Sequence, residues 1–208
     1  MNRLAILGAS GHGKVVADTA LVCGWRQIDF FDDAWPARLE NGHWNVVGNS
    51  AELLLRLDAY DGVFIAIGNN MIRLAKLREL EEVGAKIVSL IHPSAVISQF
   101  SSIDVGSLVL AGVVVNVDAV IGRGVILNTG CSVDHDCVLG DGVHLSPGSR
   151  LAGGVHVGKL AWVGIGACVR QSLKIGDSVI VGAGAAVVAD VPDELTVVGV
   201  PARKFSRS

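Results

Sequence analysis

From Ile97 to Val187 every sixth residue of this chain is Ile, Leu or Val, an unbroken series of sixteen with no insertion. Half of the chain is hydrophobic, so single matches mean little, but sixteen in succession at a fixed period is not a composition effect. The positions two residues earlier are restricted as well. They run Ala95, Ser101, Ser107, Val113, Ala119, Val125, Cys131, Cys137 and on to Ala185, and among them only Leu173 is large. Residues i−2 and i of a strand point the same way. Each hexad therefore sends one branched and one small side chain into an interior, and six-residue strand-plus-turn units of this kind make a three-sided coil. Sixteen hexads predict about five coils stacked at roughly 4.8 Å, a prism about 25 Å long. Glycine often follows the branched residue (Gly122, Gly140, Gly158, Gly164, Gly176, Gly182), and these positions are read as the points where the chain turns.

The first part of the chain poses a different packing problem. Seven of its ten Trp, Tyr and Phe residues precede His92. The predicted boundary lies near 91–94, giving domains 1–92 and 93–208. Residues 4–7 read as an apolar strand, followed by Gly8-Ala9-Ser10-Gly11-His12-Gly13 and a helix from Lys14 to Cys23. Further strands are expected at 27–31, ending in Asp32-Asp33, at 63–67, ending in Gly68-Asn69-Asn70, and at 86–90, with a helix over 71–83. Alternating strands and helices indicate a small parallel sheet, a Rossmann-like α/β domain. Ligands of such sheets sit at the carboxyl ends of strands, where Ser10, Gly11, His12, Asp32, Asp33, Gly68, Asn69 and Asn70 all fall. The first loop can offer backbone N–H groups at a helix N-terminus to a phosphate. Its G-x-x-G-x-G spacing is not that of dinucleotide folds, and an ordinary tight turn has the same look.

A net charge of −3 gives no reason to expect nucleic acid or an anionic membrane as partner. The apolar runs at 4–7 and 109–121 are too short or too interrupted for a signal peptide or a membrane span. A cytoplasmic protein is expected. Cys23, Cys131, Cys137 and Cys168 form no C-x-x-C pair, so they read as free thiols in small buried volumes.

Of six histidines, His135 has the surroundings of a general base. It falls two residues after the inward Val133, at a corner of the prism, with Asp134 and Asp136 on either side. A carboxylate that accepts one imidazole N–H leaves the other nitrogen basic. One coil is eighteen residues, which places Gly153 next to His135. A glycine there lets a thioester approach, and its N–H can face a developing oxyanion. Asn128 is a candidate to orient the histidines, or else an asparagine of a structural ladder. The eighteen-residue column Leu108, Ile126, His144, Trp162, Ile180 points outward yet is nearly all apolar, the mark of an interface. His43 reads as solvated, His92 as structural at the domain joint and His156 as a surface residue.

Along nearly its whole length the chain resembles the NeuD/PglD-type bacterial sugar acyltransferases. The resemblance is carried by Gly8–Gly13, Asp32-Asp33, Ala66–Asn70, Ile91–Ala95, Asn128-Thr129-Gly130, Asp134–Cys137 and the closing Gly199-Val200-Pro201-Ala202-Arg203. It implies a left-handed parallel β-helix with acetyl-coenzyme A as co-substrate. It also implies His135 as base oriented by Asp136, and His144 at the acyl donor. By the same resemblance, Arg203 and Lys204 lie in a tail against the coenzyme, and active sites lie between the protomers of a homotrimer. The implied reaction is N-acetylation of a nucleotide-linked 4-amino-deoxy sugar whose nucleotide rests on the N-terminal domain. GDP-perosamine N-acetylation and sialic acid O-acetylation stand beside it. Zinc-dependent carbonic-anhydrase chemistry is disfavoured because His135, His144 and His156 fall on three different faces, so no metal is expected. A non-catalytic binding protein is disfavoured by the Asp-His-Asp corner.

Overall fold

The computed structural model describes residues 2–205. The chain forms two compact units that divide between Pro93 and Ser94.

The first unit is a five-stranded sheet. Its strands are β1 (Arg3–Leu7), β2 (Gln27–Phe31), β3 (Glu40–Asn41), β4 (Trp44–Gly48) and β5 (Gly62–Ile65), in the order β3-β4-β2-β1-β5. β4, β2, β1 and β5 run parallel, and β3 closes the edge as a hairpin with β4. Leu4, Ala5, Ile6 and Leu7 are all buried. A central parallel strand covered on both faces reads as a continuous apolar run rather than an alternation. The helices are α1 (Gly11–Val22), α2 (Ser50–Leu54) and α3 (Asn70–Glu82).

Three details differ from the expectation. α1 starts at Gly11 rather than Lys14, which places Gly13 in its first turn, where close packing requires a glycine. A Cβ on Gly13 would press on the Gly8 carbonyl and stand 3.0 Å from the Phe30 ring. The strand expected at 86–90 reduces to a single bridge between Val63 and Ile87. The β3–β4 hairpin and α2, which the sequence reading left out, fill the stretch from 40 to 54.

The second unit is a prism of two-residue strands in three sheets. Parallel pairs recur at eighteen residues: Val114 with Ser132, Val120 with Val138, Ile126 with His144. The interior is the predicted one. From Val109 to Val187 every sixth residue is buried, and so is every residue two before it from Ser107 to Ala185. The serines in this series bond within the fold: the Ser107 hydroxyl donates to the Gly122 carbonyl (3.0 Å) and that of Ser149 to the Ser146 carbonyl (2.9 Å).

The turning points are not where they were expected. The left-handed residues of the prism from Gly106 to Glu194, among them Gly124, Gly142, Asp118, Asp136 and Ser172, all stand three before the branched residue. Gly122, Gly140, Gly158, Gly164, Gly176 and Gly182 are not left-handed. A Cβ on Gly158 would stand 2.5 Å from the Asp177 nitrogen in the next coil, and one on Gly140 2.8 Å from the Lys159 nitrogen. These glycines are needed for close stacking of coils, not for turning.

The last coil is shorter by two residues. Thr196 pairs with Ile180, and Val191 and Val197 enter the core. Arg203–Lys204 then folds back antiparallel on Val197 and Val198. No helix among the described residues is long and apolar enough to cross a membrane.

Candidate active site

Asp136 is a left-handed corner residue (φ 58°), a conformation Asp tolerates better than most side chains. From this corner its carboxylate meets the neighbouring ring, with His135 Nδ1 2.7 Å from Asp136 Oδ2. A carboxylate only accepts, so Nδ1 carries the proton and Nε2 is left basic. On the other side the His135 N–H donates to Asp134 Oδ1 (2.8 Å), and the same oxygen accepts from Asn116 one coil away (2.9 Å). His135 and Asp136 are both more than half exposed, at 56% and 65% of the side chain. The ring pKa is raised above its usual 6.5, chiefly by the hydrogen bond to Asp136 and further by the charges of Asp134 and Asp136.

Gly153 lies against this ring. A Cβ there would stand 2.5 Å from both Cε1 and Nε2 of His135. The Gly154 N–H is used by the His135 carbonyl (2.8 Å). Among the described residues the Gly153 N–H meets no acceptor. The arrangement can therefore take a proton at Nε2 beside an available backbone donor.

Asn128 does not join the His135–Asp136 pair. Its Nδ2 lies 3.3 Å from His144 Nε2, and its Oδ1 accepts the Thr129 N–H. His144 is buried rather than exposed, because the Trp162 ring stacks on it (centroids 5.2 Å apart, planes at 12°). Trp162 is held in turn by its indole N–H on the Ser146 hydroxyl (2.7 Å). The expected exposed apolar stripe is thus only half exposed: Leu108 and Ile126 are buried, while Trp162 and Ile180 are 42% and 46% exposed. An open apolar groove of about 450 Å³ runs beside Trp162, lined by Pro147, Gly164, Ile165, Ile180, Gly182 and Ala183. This groove was not legible in the hexad pattern; its signal is the small residues Gly164, Gly182 and Ala183. Arg203 and Lys204 are exposed at the end of the prism, in the antiparallel strand that closes it.

In the first unit the strand-end residues come together partly as scaffold. Asp32 ties the first loop, accepting from Ala9 N (2.7 Å) and Ala34 N (2.9 Å). Arg38 crosses the same loop to the Ala9 carbonyl. Asp33 Oδ1 accepts the Ser50 N–H (2.9 Å), and this backbone bond is the main cause that holds its carboxyl below the usual range. Asn69 caps α3 through the Ile72 N–H. Asn70 is buried and accepts from Arg73, a buried arginine that also binds the Ile67 and Gly68 carbonyls (3.0 and 3.1 Å). Burial pushes Arg73 down to about 10. His12 lies in the first turn of α1, where burial, assisted by the Arg73 charge, lowers it to about 4, so it is neutral at physiological pH. Ser10 precedes α1 without capping it through its side chain, and the space beside Gly11 is open. Arg38 and Arg73 lay outside the sequence reading, because neither sits in a glycine or Asp/Asn motif.

No group of three or more His, Cys, Asp or Glu able to hold a metal occurs among the described residues. All four cysteines are free; Cys131 and Cys137 fill the prism interior as expected, but Cys168 is exposed, because it occupies the outward position of its hexad.

Two family descriptions match the chain: the PglD N-terminal domain over residues 3–80 and the bacterial transferase hexapeptide over 118–153. A UDP-N-acetylbacillosamine N-acetyltransferase of Bacillus subtilis is 38% identical over 113 residues, which are 53% of this chain and 52% of that protein, so the match spans about half of the curated relative. Solved structures match along the full length. The acetyltransferase domain of PglB from Neisseria gonorrhoeae is 40% identical, with a TM-score of 0.92 over 99% of this chain and 100% of that one. PerB from Caulobacter crescentus, in complex with CoA and GDP-perosamine, is 40% identical with a TM-score of 0.94 over 99% and 98%. With both parts of its fold matched in one chain, the protein belongs to the PglD/PglB/PerB family of sugar N-acetyltransferases.

Proposed function

We propose that this protein transfers the acetyl group of acetyl-coenzyme A to the primary amine of a nucleotide-linked amino-deoxy sugar. The observation that carries the reading is the His135–Asp136 pair at 2.7 Å, with Nε2 open and pressed against the side-chain-free Gly153. The sugar amine attacks the thioester carbon and gives its proton to His135 Nε2, while Asp136 steadies the imidazolium. The tetrahedral oxyanion takes the Gly153 N–H, a donor worth on the order of 3 kcal/mol in comparable sites. The C–S bond then breaks, and the leaving thiolate recovers the proton from His135. Asn128, His144 and Trp162 form the wall beside the acetyl group, and the pantetheine arm follows the apolar groove toward Arg203 and Lys204.

His135 stands on a corner of the prism, whereas His144 and the groove belong to another face. One chain thus presents the base and the donor groove in different directions. A homotrimer in which the corner of one protomer meets the groove face of the next unites them, with Trp162 and Ile180 at the contact. Acceptor binding falls to the first unit. The N-terminus of α1 and the open space at Gly11 receive the diphosphate, while Asp33 and Asn69 read the base and ribose. Both co-substrates are cytoplasmic metabolites, which is where the protein works.

A UDP-linked 4-amino-4,6-dideoxy sugar is the first choice of acceptor, in line with the bacillosamine-type relative, and GDP-perosamine is the second, in line with PerB. The test is acetyl-CoA turnover on a panel of UDP- and GDP-linked amino sugars with free sialic acid included. Turnover confined to sialic acid, or none with any amino sugar, refutes the proposal.

A further inference from the structure

The corners of the prism differ in what their backbone donors do. At the corner of Arg123, Lys159 and Asp177, the N–H groups donate to carboxylates one coil on, those of Asp141 (3.1 Å), Asp177 (2.7 Å) and Asp193 (2.8 Å). That corner is closed by its own aspartates. At the corner of His135 no aspartate follows. The column continues as Gly153 and then Gln171, joined by hydrogen bonds from Gly154 N to the His135 carbonyl (2.8 Å) and from Ser172 N to the Gly153 carbonyl (2.9 Å). Among the described residues neither the Gly153 N–H, nor the Gln171 N–H, nor the Gln171 side chain meets a partner, and Gln171 is exposed.

The spacing of this column suits one ligand. In an extended pantetheine arm the first amide lies roughly 5 Å beyond the thioester carbon, across two C–S bonds of about 1.8 Å and two further bonds of about 1.5 Å at near-tetrahedral angles. Adjacent strands, and so adjacent coils, are about 4.8 Å apart. If the thioester oxygen takes the Gly153 N–H, the cysteamine amide falls level with Gln171. The apolar groove occupies the same heights, with Trp162–Ile165 one coil on from His144 and Ile180–Ala183 two coils on.

We infer that Gln171 is a donor-binding residue that hydrogen-bonds the first amide of pantetheine and so sets the thioester carbon at the height of Gly153, against the His135 ring. The inference rests on the acetyl-transfer reading above. It assigns this corner a task separate from proton transfer: holding the arm in register with the coils. The amide side chain can both donate and accept, as a secondary amide requires.

The experiment compares Gln171→Ala with wild type on three donors: acetyl-CoA, S-acetyl-N-acetylcysteamine, which keeps one amide, and ethyl thioacetate, which has none. The side chain is exposed, so an unchanged melting temperature is expected and serves as the folding control. The loss of a neutral hydrogen bond lowers kcat/KM roughly three- to tenfold for the two amide donors, and ethyl thioacetate is used as well as by wild type. An equal loss on all three donors, or no loss on any, overturns the inference. A wild type inert with acetyl-CoA overturns the acetyl-transfer reading and this inference with it; an active wild type beside an unchanged variant overturns this inference alone.

Discussion

Replacement of Gly153 by alanine is the most direct test of the site. The backbone at 153 is not left-handed, so alanine is conformationally acceptable there. The new Cβ would stand 2.5 Å from Nε2 and Cε1 of His135, whereas ordinary contact begins at 3.4 Å, so the ring must retreat by about 0.9 Å. The ring is free to do so because it is more than half exposed. Gly153 is itself buried under the ring, but the atoms that must move are the far end of an exposed side chain, so the fold is expected to survive with a loss of about 1 kcal/mol. Catalysis is expected to suffer: a displacement of about 1 Å between reacting groups costs on the order of 10²-fold in rate. The effect passes through the imidazole, so it should vanish where there is no imidazole. His135→Ala alone is expected to lower kcat by about 10²–10⁴. Adding Gly153→Ala to it should then cost far less than in wild type, a coupling read from the double-mutant cycle. Steady-state turnover with thermal melting as the folding control measures all four proteins. A Gly153→Ala enzyme with near-wild-type kcat, or full additivity of the two losses, refutes the reasoning.

The base works only when neutral, and its pKa is raised, so the acidic limb of kcat/KM is expected above pH 6.5. Asp136→Asn removes the first cause of that shift while keeping a side chain suited to the left-handed corner, so the limb should move to lower pH and kcat should fall; an unmoved limb would detach Asp136 from His135. Gly158→Ala puts a Cβ 2.5 Å from the backbone nitrogen of Asp177, which cannot rotate away, and should destabilise the prism by about 1–3 kcal/mol in denaturant titration. Trp162→Glu should break the homotrimer proposed above, judged by sedimentation against wild type; a variant that remains trimeric places the central contact elsewhere.

The prism was legible because its signal is one-dimensional. A buried position recurs every six residues, and the side chains there have no alternative direction. The same periodicity located His135 on a corner and Gly153 beside it. The role of the glycines was harder to read, since the sequence does not distinguish a glycine that turns from one that lets a coil pass close by. Gly122 and Gly124 stand two apart and do different things. The accessibility of His144 depended on Trp162 lying down over it, a rotamer choice no pattern encodes. In the first unit the strand-end motifs were found, but Asp32 and Asn69 turned out to hold the backbone, Asp32 at the Ala9 N–H and Asn69 at the start of α3. Arg73 binds carbonyls from within an ordinary-looking helix, so only the packed structure brings it into view.

The eighteen-residue register also limits how such a chain can change in length. Removing six residues between His135 and Gly153 would carry every later side chain one face around the prism and leave the base beside a different corner. Adding or removing a whole coil below Ser172 would lengthen or shorten the body by about 4.8 Å and leave the base and its glycine side by side. Insertions and deletions in the prism should thus be tolerated in multiples of eighteen. The distance from the chemistry to the closing strand at Arg203–Lys204 can change only in steps of one coil.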